Sequence, residues 1–426
     1  MRVHPLETPR CRWLHPLLAA LAASSSGVAW ADEPTPWYVG ASEAFTHDSN
    51  VYRAPNAQAD SYASTALLGG FDQPVGRQRF YAAANVAYNK YRDQSTLDNT
   101  SYGVNAGWDW ATIENLSGTL SAVANQSLAS FDNNATVPLT TRNLLKTDQL
   151  GATARFGGAG IATLDAAYAH SRVRYSAPEY LSSTSNGDSA SIGGSYRVDP
   201  DIRIGTGLRF TRTVSPYAVA LVAAPAGLDD YQSNTSNGRN LDLTANWATT
   251  AQTGVNARLS WTRQTNSGAS DRDFSGFTGA LSGNYAPTAK LLFSASASRD
   301  AGTNASFFNF FGPTPTRAIQ GLSENSQTTE AYALGVNYAA TAKIAVTAGV
   351  QYSHAKLVDT TAIGGASSST ERSDNAHSVS LGATWAIARA WQLGCNALHY
   401  TRSLSGNTGF SYSGNTVSCS AQLTLR

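Results

Sequence analysis

Charged residues are scarce in this sequence, in which only 14% of 426 residues are Asp, Glu, Lys or Arg. A water-soluble enzyme of this length typically carries about 25% charged residues and longer aliphatic runs for a packed core. The formal net charge of +1 gives no global field that would attract nucleic acid, so no nucleic-acid partner is predicted. The composition therefore argues against an ordinary soluble enzyme.

Long hydrophobic runs are also missing. After residue 31 no segment approaches the run of about 18 apolar residues that a transmembrane helix requires. Before it, a basic start containing Arg10 and Arg12 precedes the short apolar stretch LHPLLAALAA and an A-x-A pattern ending at Ala31. These features predict a cleaved secretory signal peptide over residues 1–31 and a mature domain over residues 32–426.

Cysteine is rare, with three residues, of which Cys11 lies in the predicted signal peptide. Cys395 and Cys419 lie on the last two predicted strands, and their midpoint falls in the loop between them. Directly opposed residues of an antiparallel hairpin share such a midpoint. Both a cross-strand disulfide and two reduced, lipid-facing thiols fit this arrangement.

Residue patterns for catalysis are absent from the sequence. It contains no G-x-S-x-G or H-E-x-x-H motif and no glycine-rich phosphate loop. Only five histidines follow residue 31, and most are expected near strand ends: His47, His170, His354, His377 and His399. We therefore predict no enzymatic activity, no catalytic residue, no bound metal and no cofactor.

What the sequence does contain is a repeated strand pattern. Segments such as SYGVNAGWDWA, NLDLTANWATT, EAYALGVNYAA and HSVSLGATWAI alternate apolar with small or polar residues and end in an aromatic residue before a tight connection. Alternation with a period of two is the signal of a β-strand. Short connections alternate with long ones, the longest near residues 214–238 and 301–327. This layout predicts an all-β, transmembrane, antiparallel up-and-down β-barrel of about 18 strands, with about 16 as the alternative, short periplasmic turns and long extracellular loops.

Aromatic residues are expected to form two rings around this barrel. One set lies just before short turns and the other before long loops, where Tyr168, Phe210, Trp261 and Tyr400 are examples. Tryptophan and tyrosine prefer the interface between lipid and water, so the two rings predict the edges of an apolar band.

The polar face of each strand is then expected to line the lumen. The charged candidates for this lining are Arg155, Arg197, Arg203, Arg209, Arg258, Asp109, Asp165 and Asp242. The five arginines come from neighbouring strands and could form a strip that selects anionic solutes or guides an acidic polysaccharide, since guanidinium groups bind carboxylates through paired hydrogen bonds. The alternative is that these side chains only make the inner wall hydrophilic and have no role in solute selection.

The stretch EAFTHDSNVYR resembles the start of the β-barrel porin type 2 family, which includes members associated with exopolysaccharide biosynthesis and export. The matching residues are Asp48, Ser49, Asn50, Val51, Tyr52 and Arg53. From the residues alone, this stretch reads as a loop turn around residues 48–50, in which His47, Asp48 and Asn50 need not converge. A calcium or sugar contact at the barrel mouth is the alternative.

The resemblance implies a bacterial outer-membrane barrel that exports or helps to secrete extracellular polysaccharide. A general diffusion porin for small, including anionic, solutes is the second hypothesis, and a closed structural or adhesive surface barrel is the third. The expected partners are outer-membrane lipid and lipopolysaccharide, a polysaccharide or small-solute cargo, and periplasmic polysaccharide-export components. The sequence does not decide the oligomeric state.

Overall fold

The fold is known from a computed structural model. It describes residues 35–131, 140–157, 160–219, 230–250, 252–267, 273–301, 326–363, 366–405 and 410–426. The predicted signal peptide and nearly all of the long loop predicted near residues 301–327 lie outside the described residues.

The described chain forms a closed barrel of 18 antiparallel strands in up-and-down order. The strands are β1 (Trp37–Asp48), β2 (Asp60–Val75), β3 (Gln78–Tyr91), β4 (Asn99–Ala111), β5 (Leu116–Leu128), β6 (Leu144–Phe156), β7 (Ala162–Tyr175), β8 (Ser185–Asp199), β9 (Ile202–Val219), β10 (Asp230–Thr250), β11 (Thr253–Asn266), β12 (Phe274–Thr288), β13 (Leu291–Ala301), β14 (Ser326–Ala339), β15 (Ile344–Ile363), β16 (Ala366–Ala386), β17 (Trp391–Leu404) and β18 (Tyr412–Leu425). The predicted fold class and strand number are confirmed.

Pairing between β1 and β18 closes the sheet. The register runs from Val39 opposite Leu425 to Asp48 opposite Thr416, and β1 also pairs along its length with β2. We call the junction of β17, β18 and β1 the closing seam. Because every strand has a partner on each side, the barrel leaves no open edge for another chain to extend.

The connections differ at the two ends of the barrel. Eight connections lie at one end, called here the short-turn end, and nine lie at the other, called the long-loop end. The connection between β2 and β3 at the short-turn end contains only Gly76 and Arg77, and Gly76 adopts a φ of 60°. Glycine reaches this left-handed conformation without steric cost, as a two-residue hairpin requires.

Two hairpins at the long-loop end have long strands, and in one of them the sequence predicted a loop. The loop expected over residues 214–238 is largely strand, because β9 continues to Val219 and β10 begins at Asp230. The connection between β15 and β16 likewise spans only residues 364–365. Ser, Asn, Gly and Pro suggested a loop over residues 214–238, but backbone pairing between β9 and β10 extends both strands.

The outer surface carries the apolar residues. On β11, for example, Leu259 and Trp261 are exposed, whereas the intervening Ser260 and Thr262 are buried. Exposed aromatic residues form a lower ring at the short-turn end and an upper ring at the long-loop end. The lower ring includes Phe80, Trp108, Phe156, Tyr196, Trp247, Tyr285, Tyr338 and Trp385, and the upper ring includes Tyr88, Tyr168, Phe210, Trp261, Phe277 and Tyr332.

The spacing of the two aromatic rings fits a bilayer. Phe277 and Tyr285 lie on the same face of β12, and a rise of about 3.4 Å per residue separates them by about 27 Å along the strand. A tilt of about 40° reduces this to roughly 21 Å along the barrel axis, close to the apolar band of about 25 Å of outer-membrane barrels. Among the described residues, no helix is both long and apolar enough to cross a membrane.

Tyr400 does not belong to the upper ring, contrary to the prediction. It lies on the inner face of β17 with a relative exposure of 8%. Its hydroxyl group donates a hydrogen bond to Asp48 of β1. A polar partner inside the barrel therefore places this tyrosine at the closing seam.

Cys395 and Cys419 are directly opposed on the outer face of the closing seam. In the structure their sulfur atoms are bonded, across a sequence separation of 24 residues. A crosslink of this length reduces the conformational freedom of the unfolded chain and stabilises the folded state by about 3 kcal/mol in the chain-entropy model.

We expect the double substitution C395S/C419S to lower the free energy of unfolding by about 3 kcal/mol. The measurement is the urea midpoint of the protein in detergent micelles, read from the fluorescence of its tryptophans. Ala397→Ser, at a neighbouring outward position of β17, is the matched control and should leave the midpoint nearly unchanged. Equal midpoints for the wild type and the double variant would show that the bond adds nothing to stability.

Candidate functional site: the inner wall and its rim

The inner wall is built from the polar positions of the alternating strands. All eight charged candidates from the sequence occupy positions of the inner face: Arg155, Arg197, Arg203, Arg209, Arg258, Asp109, Asp165 and Asp242. Their strands are neighbours, so the five arginines share one sector of the wall. The structure places them at two heights, because Arg203 and Arg209 are six residues apart on β9, about 20 Å along the strand.

A half-buried charge network occupies the higher level. Arg209 donates to both oxygens of Asp242 across the β9–β10 hairpin, at 3.0 and 3.3 Å. Arg258 lies 4.0 Å from Asp242 and 3.9 Å from Asp300, which is on β13. The network therefore alternates in sign around the wall, and Asp300 is a member that the sequence did not suggest.

The lower level lies near the short turns and is more exposed. Arg155 donates to Asp165, and the hydroxyl group of Thr163 donates to the same carboxylate at 3.2 Å. Arg203 donates to the hydroxyl oxygens of Thr163 and Ser195, at 3.1 and 3.2 Å. The result is a continuous polar surface across β6, β7, β8 and β9.

A second group of charges continues this lower level around the wall. Arg79 donates to both oxygens of Asp72, at 2.8 and 2.6 Å, and lies 3.6 Å from Asp109. Asp109 in turn accepts a hydrogen bond from Thr119 at 2.8 Å. A cavity of 550 Å³ opens along the wall between Asp109 and the Arg155–Asp165 pair.

The predicted arginine strip is therefore largely compensated. Arg155, Arg209 and Arg258 each have a carboxylate within ion-pair distance, and Arg203 is held by hydroxyl groups. Such pairing lowers the positive potential that unpaired guanidinium groups would present to a solute. The wall offers alternating donors and acceptors instead of one positive surface.

The family-marker stretch forms the rim at the long-loop end, where it fastens β1 to the last two strands. Asp48 accepts hydrogen bonds from the backbone N–H of Asn50 at 2.9 Å, from Arg53 at 3.0 Å, from Tyr400 at 2.9 Å and from Thr416 at 3.1 Å. These contacts connect the first strand with β17 and β18. We call Asp48, Asn50, Arg53, Tyr400 and Thr416 the rim cluster.

Asn50 completes the rim cluster with its side-chain amide. Its relative exposure is 1%, and it donates to the carbonyl oxygens of Ala54 and Ser413, at 2.8 and 3.0 Å. Its own oxygen accepts from the backbone N–H of Ala54. Asp48 and Asn50 thus do converge, contrary to the expectation from strand alternation, because the chain turns directly after β1. His47 points outward and contacts Ser61.

Arg53 is the strained member of the rim cluster. Its φ of 52° is uncommon for a residue with a side chain, and its guanidinium lies 4.0 Å from the centre of the Tyr400 ring. Burial acts to lower the pKa of Arg53, but the Asp48 carboxylate and the Tyr400 hydroxyl oxygen outweigh it, so the pKa lies above its ordinary value. The ion pair and the ring contact together hold the strained backbone in place.

Apolar packing supports the rim cluster from the neighbouring loops. Val51, Tyr52 and Ala54 are buried with Tyr91, Leu97 and Phe131, and the rings of Tyr52 and Phe131 meet edge to face at 5.1 Å. The family-marker stretch and the neighbouring loops therefore share a small apolar core. In the ranges that the structure describes, no group of three or more His, Cys, Asp or Glu side chains is placed to hold a metal ion.

A further inner-wall pair also escaped sequence reasoning. Arg402 of β17 donates to both oxygens of Asp374 on β16, at distances between 2.6 and 3.0 Å, and both side chains are buried. The two residues lie on the inner face of adjacent strands, two positions out of direct register. The midpoint rule that places Cys395 opposite Cys419 would also have placed Asp374 near Arg402.

Comparison with known proteins reveals similarity of architecture. No protein-family model matches the chain, and no curated protein matches it in sequence. Among solved structures, OccK3 (OpdO) of Pseudomonas aeruginosa is 14% identical with a TM-score of 0.48, over 92% of this chain and 96% of that one. OccK1 (OpdK) of the same organism is 12% identical with a TM-score of 0.47, over 91% and 99%.

A receptor is also similar in architecture. The siderophore receptor PirA of Acinetobacter baumannii is 9% identical with a TM-score of 0.41, over 92% of this chain and 81% of that one. These likenesses transfer no substrate to this chain. The resemblance to the β-barrel porin type 2 family remains a prediction.

Proposed function

We propose that this protein is an outer-membrane, porin-like channel for hydrophilic molecules. The observation that carries the proposal is the division of the closed barrel into an apolar outer face bounded by aromatic rings and an inner wall of hydroxyl groups, amides and Arg–Asp pairs. Lipid solvates the first surface and water the second. In this orientation the short-turn end faces the periplasm.

We further propose an extracellular polysaccharide as the cargo, in agreement with the family resemblance. Sugar hydroxyl groups donate and accept hydrogen bonds at once, and the lower level of the wall presents both kinds of partner in Arg155, Asp165, Thr163 and Ser195. Because carboxylates neutralise most of the arginines, a weakly charged polymer experiences little electrostatic trapping. Periplasmic export components would deliver such a polymer to the short-turn end.

Diffusion of small anionic solutes is the second candidate function. Arg197 and Arg203 lie close together on the lower level, where the register places them directly opposite each other on β8 and β9. Neither has a carboxylate within ion-pair distance among the residues that the structure describes. Two such guanidinium groups favour an anion over a neutral sugar.

Planar-bilayer recordings test the channel proposal. We expect purified protein to produce stable conductance steps, and neutral oligosaccharide added on the periplasmic side to interrupt them. Heat-unfolded protein is the control and should give no steps. A properly inserted barrel without conductance would contradict the proposal and favour a closed structural or adhesive barrel. Steps that anions block and oligosaccharide does not would favour the anion channel.

A further inference from the structure

Three arginines project from the outer face of the barrel, just beyond the upper aromatic ring. Arg212, Arg239 and Arg263 belong to the adjacent strands β9, β10 and β11, and all three are exposed. Arg263 follows Trp261, and Arg212 follows Phe210, by two residues on the same face. We call these residues the outer arginine patch.

The sheet register brings the patch together. Arg239 is directly opposite Arg263 on one side and Phe210 on the other, and Arg212 is opposite Asn237 one step higher. Directly opposed residues have Cβ atoms about 5 Å apart. The register therefore places the three arginines within one small area of the outer face, next to Phe210 and Trp261.

A groove of 580 Å³ lies over the patch. Its lining includes the three arginines, the aromatic rings of Tyr168 and Phe210, and the polar side chain of Asn237. Its single acidic lining residue, Asp188, already accepts hydrogen bonds from Tyr168 at 2.8 Å and from His170 at 2.9 Å.

Among the residues that the structure describes, the arginines of the patch form no ion pair, unlike three other basic residues of the outer face, although Arg212 is directly opposite Asp188 in the register. Arg174 lies 2.8 Å from Asp148, Arg299 lies 3.8 Å from Glu330, and Lys356 lies 3.0 Å from Glu371. Within the described part of the chain, no acidic oxygen lies within 4.0 Å of the side-chain nitrogens of Arg212, Arg239 or Arg263. Like charges placed directly opposite each other destabilise a sheet. An anion bound between Arg239 and Arg263 would remove this repulsion.

We propose that the outer arginine patch binds the phosphorylated headgroup of an outer-leaflet glycolipid. The inference rests on the proposed outer-membrane orientation, in which the patch lies at headgroup level directly above the aromatic ring. Phosphate is the anion that planar guanidinium groups bind with paired hydrogen bonds. The acyl chains of the same lipid would lie along the apolar wall below, beside Leu208, Leu241 and Leu259.

The test compares two lipids and two variants by native mass spectrometry in non-ionic detergent. The lipids are a bis-phosphorylated acylated glucosamine disaccharide and the same glycolipid without phosphates. The test variant is R212Q/R239Q/R263Q. The control is R174Q/R299Q/K356Q, which removes the same charge from basic residues that have acidic neighbours.

We expect wild type and control to retain the phosphorylated lipid, and the test variant to bind it at least about tenfold more weakly, since one charge-assisted hydrogen bond contributes about a factor of ten. Equal binding of both lipids, or equal binding by both variants, would overturn the proposal. Displacement of the lipid by inorganic phosphate at equal concentration would also overturn it, because the site would then be one for soluble anions.

Insertion into vesicles is measured separately, by quenching of tryptophan fluorescence with brominated lipid. Failure of the wild type to insert would contradict the membrane orientation itself. Normal insertion without phosphate-dependent binding would contradict the lipid site alone.

Discussion

The triple variant D72N/D109N/D165N is expected to make the proposed channel anion-selective. Asp72 and Asp109 compensate Arg79, and Asp165 compensates Arg155, on the exposed lower level of the wall. Asparagine keeps the size of each side chain and removes its charge. Arg79 and Arg155 then lack carboxylate neighbours, as Arg203 already does in the wild type.

The size of this effect follows from Coulomb's law. One unit charge about 6 Å from a permeating ion contributes about 0.7 kcal/mol in water. Three charges contribute about 2 kcal/mol before screening, and salt at about 0.1 M reduces this further. The ratio of anion to cation permeability should therefore rise by about tenfold.

The reversal potential under a salt gradient measures this ratio. The matched control D72N/R79Q/D165N/R155Q removes two charges of each sign from the same level, and it should leave selectivity within a factor of about two of the wild type. A triple variant with unchanged selectivity would show that ions do not pass along this part of the wall.

Asp48→Ala is expected to have the largest effect on stability. Asp48 is 6% exposed and accepts hydrogen bonds from four partners on three segments of the chain. Its removal leaves the Arg53 guanidinium without its carboxylate and takes an acceptor from Tyr400. Loss of one partner from a buried ion pair costs about 3–5 kcal/mol.

Urea unfolding in micelles and the temperature at which the folded gel band disappears both measure this change. Replacement of the adjacent His47 by alanine is the control, because His47 is on the outer face with a single side-chain contact to Ser61. Tyr400→Phe removes one donor and keeps the ring beneath Arg53, so its effect should be smaller than that of Asp48→Ala. If Asp48→Ala and His47→Ala unfold alike, the rim cluster does not stabilise the barrel.

Alternation along the chain was sufficient to predict the barrel because each strand has one face in an apolar environment and the other in a polar environment. The period of two assigns residues such as Leu259 and Ser260 to opposite faces, and hairpin symmetry assigns Cys395 to Cys419. Both rules use only neighbouring strands. They also explain why the strand number and the inner-face arginines were predictable.

Apart from the Asp374–Arg402 pair, the contacts that escaped prediction join strands that are not hairpin neighbours or depend on turn geometry. Arg258 approaches Asp300 across the whole width of β12, so hairpin symmetry does not relate them. Tyr400 was assigned to an aromatic ring because its partner, Asp48, is 352 residues away. The convergence of Asp48 and Asn50 depends on a turn that strand periodicity does not describe.

The rim cluster also has a consequence for the order of assembly. Asp48 and Thr416 are separated by 368 residues, yet they share a hydrogen bond. The two sides of the closing seam can meet only when almost the whole polypeptide has been synthesised, and the entropy of closing so long a chain opposes their encounter. The strand β1 therefore pairs with β18, its second neighbour, only after nearly the whole chain has been made. A chain truncated before β17 would lack both Tyr400 and Thr416 and could not form the rim cluster.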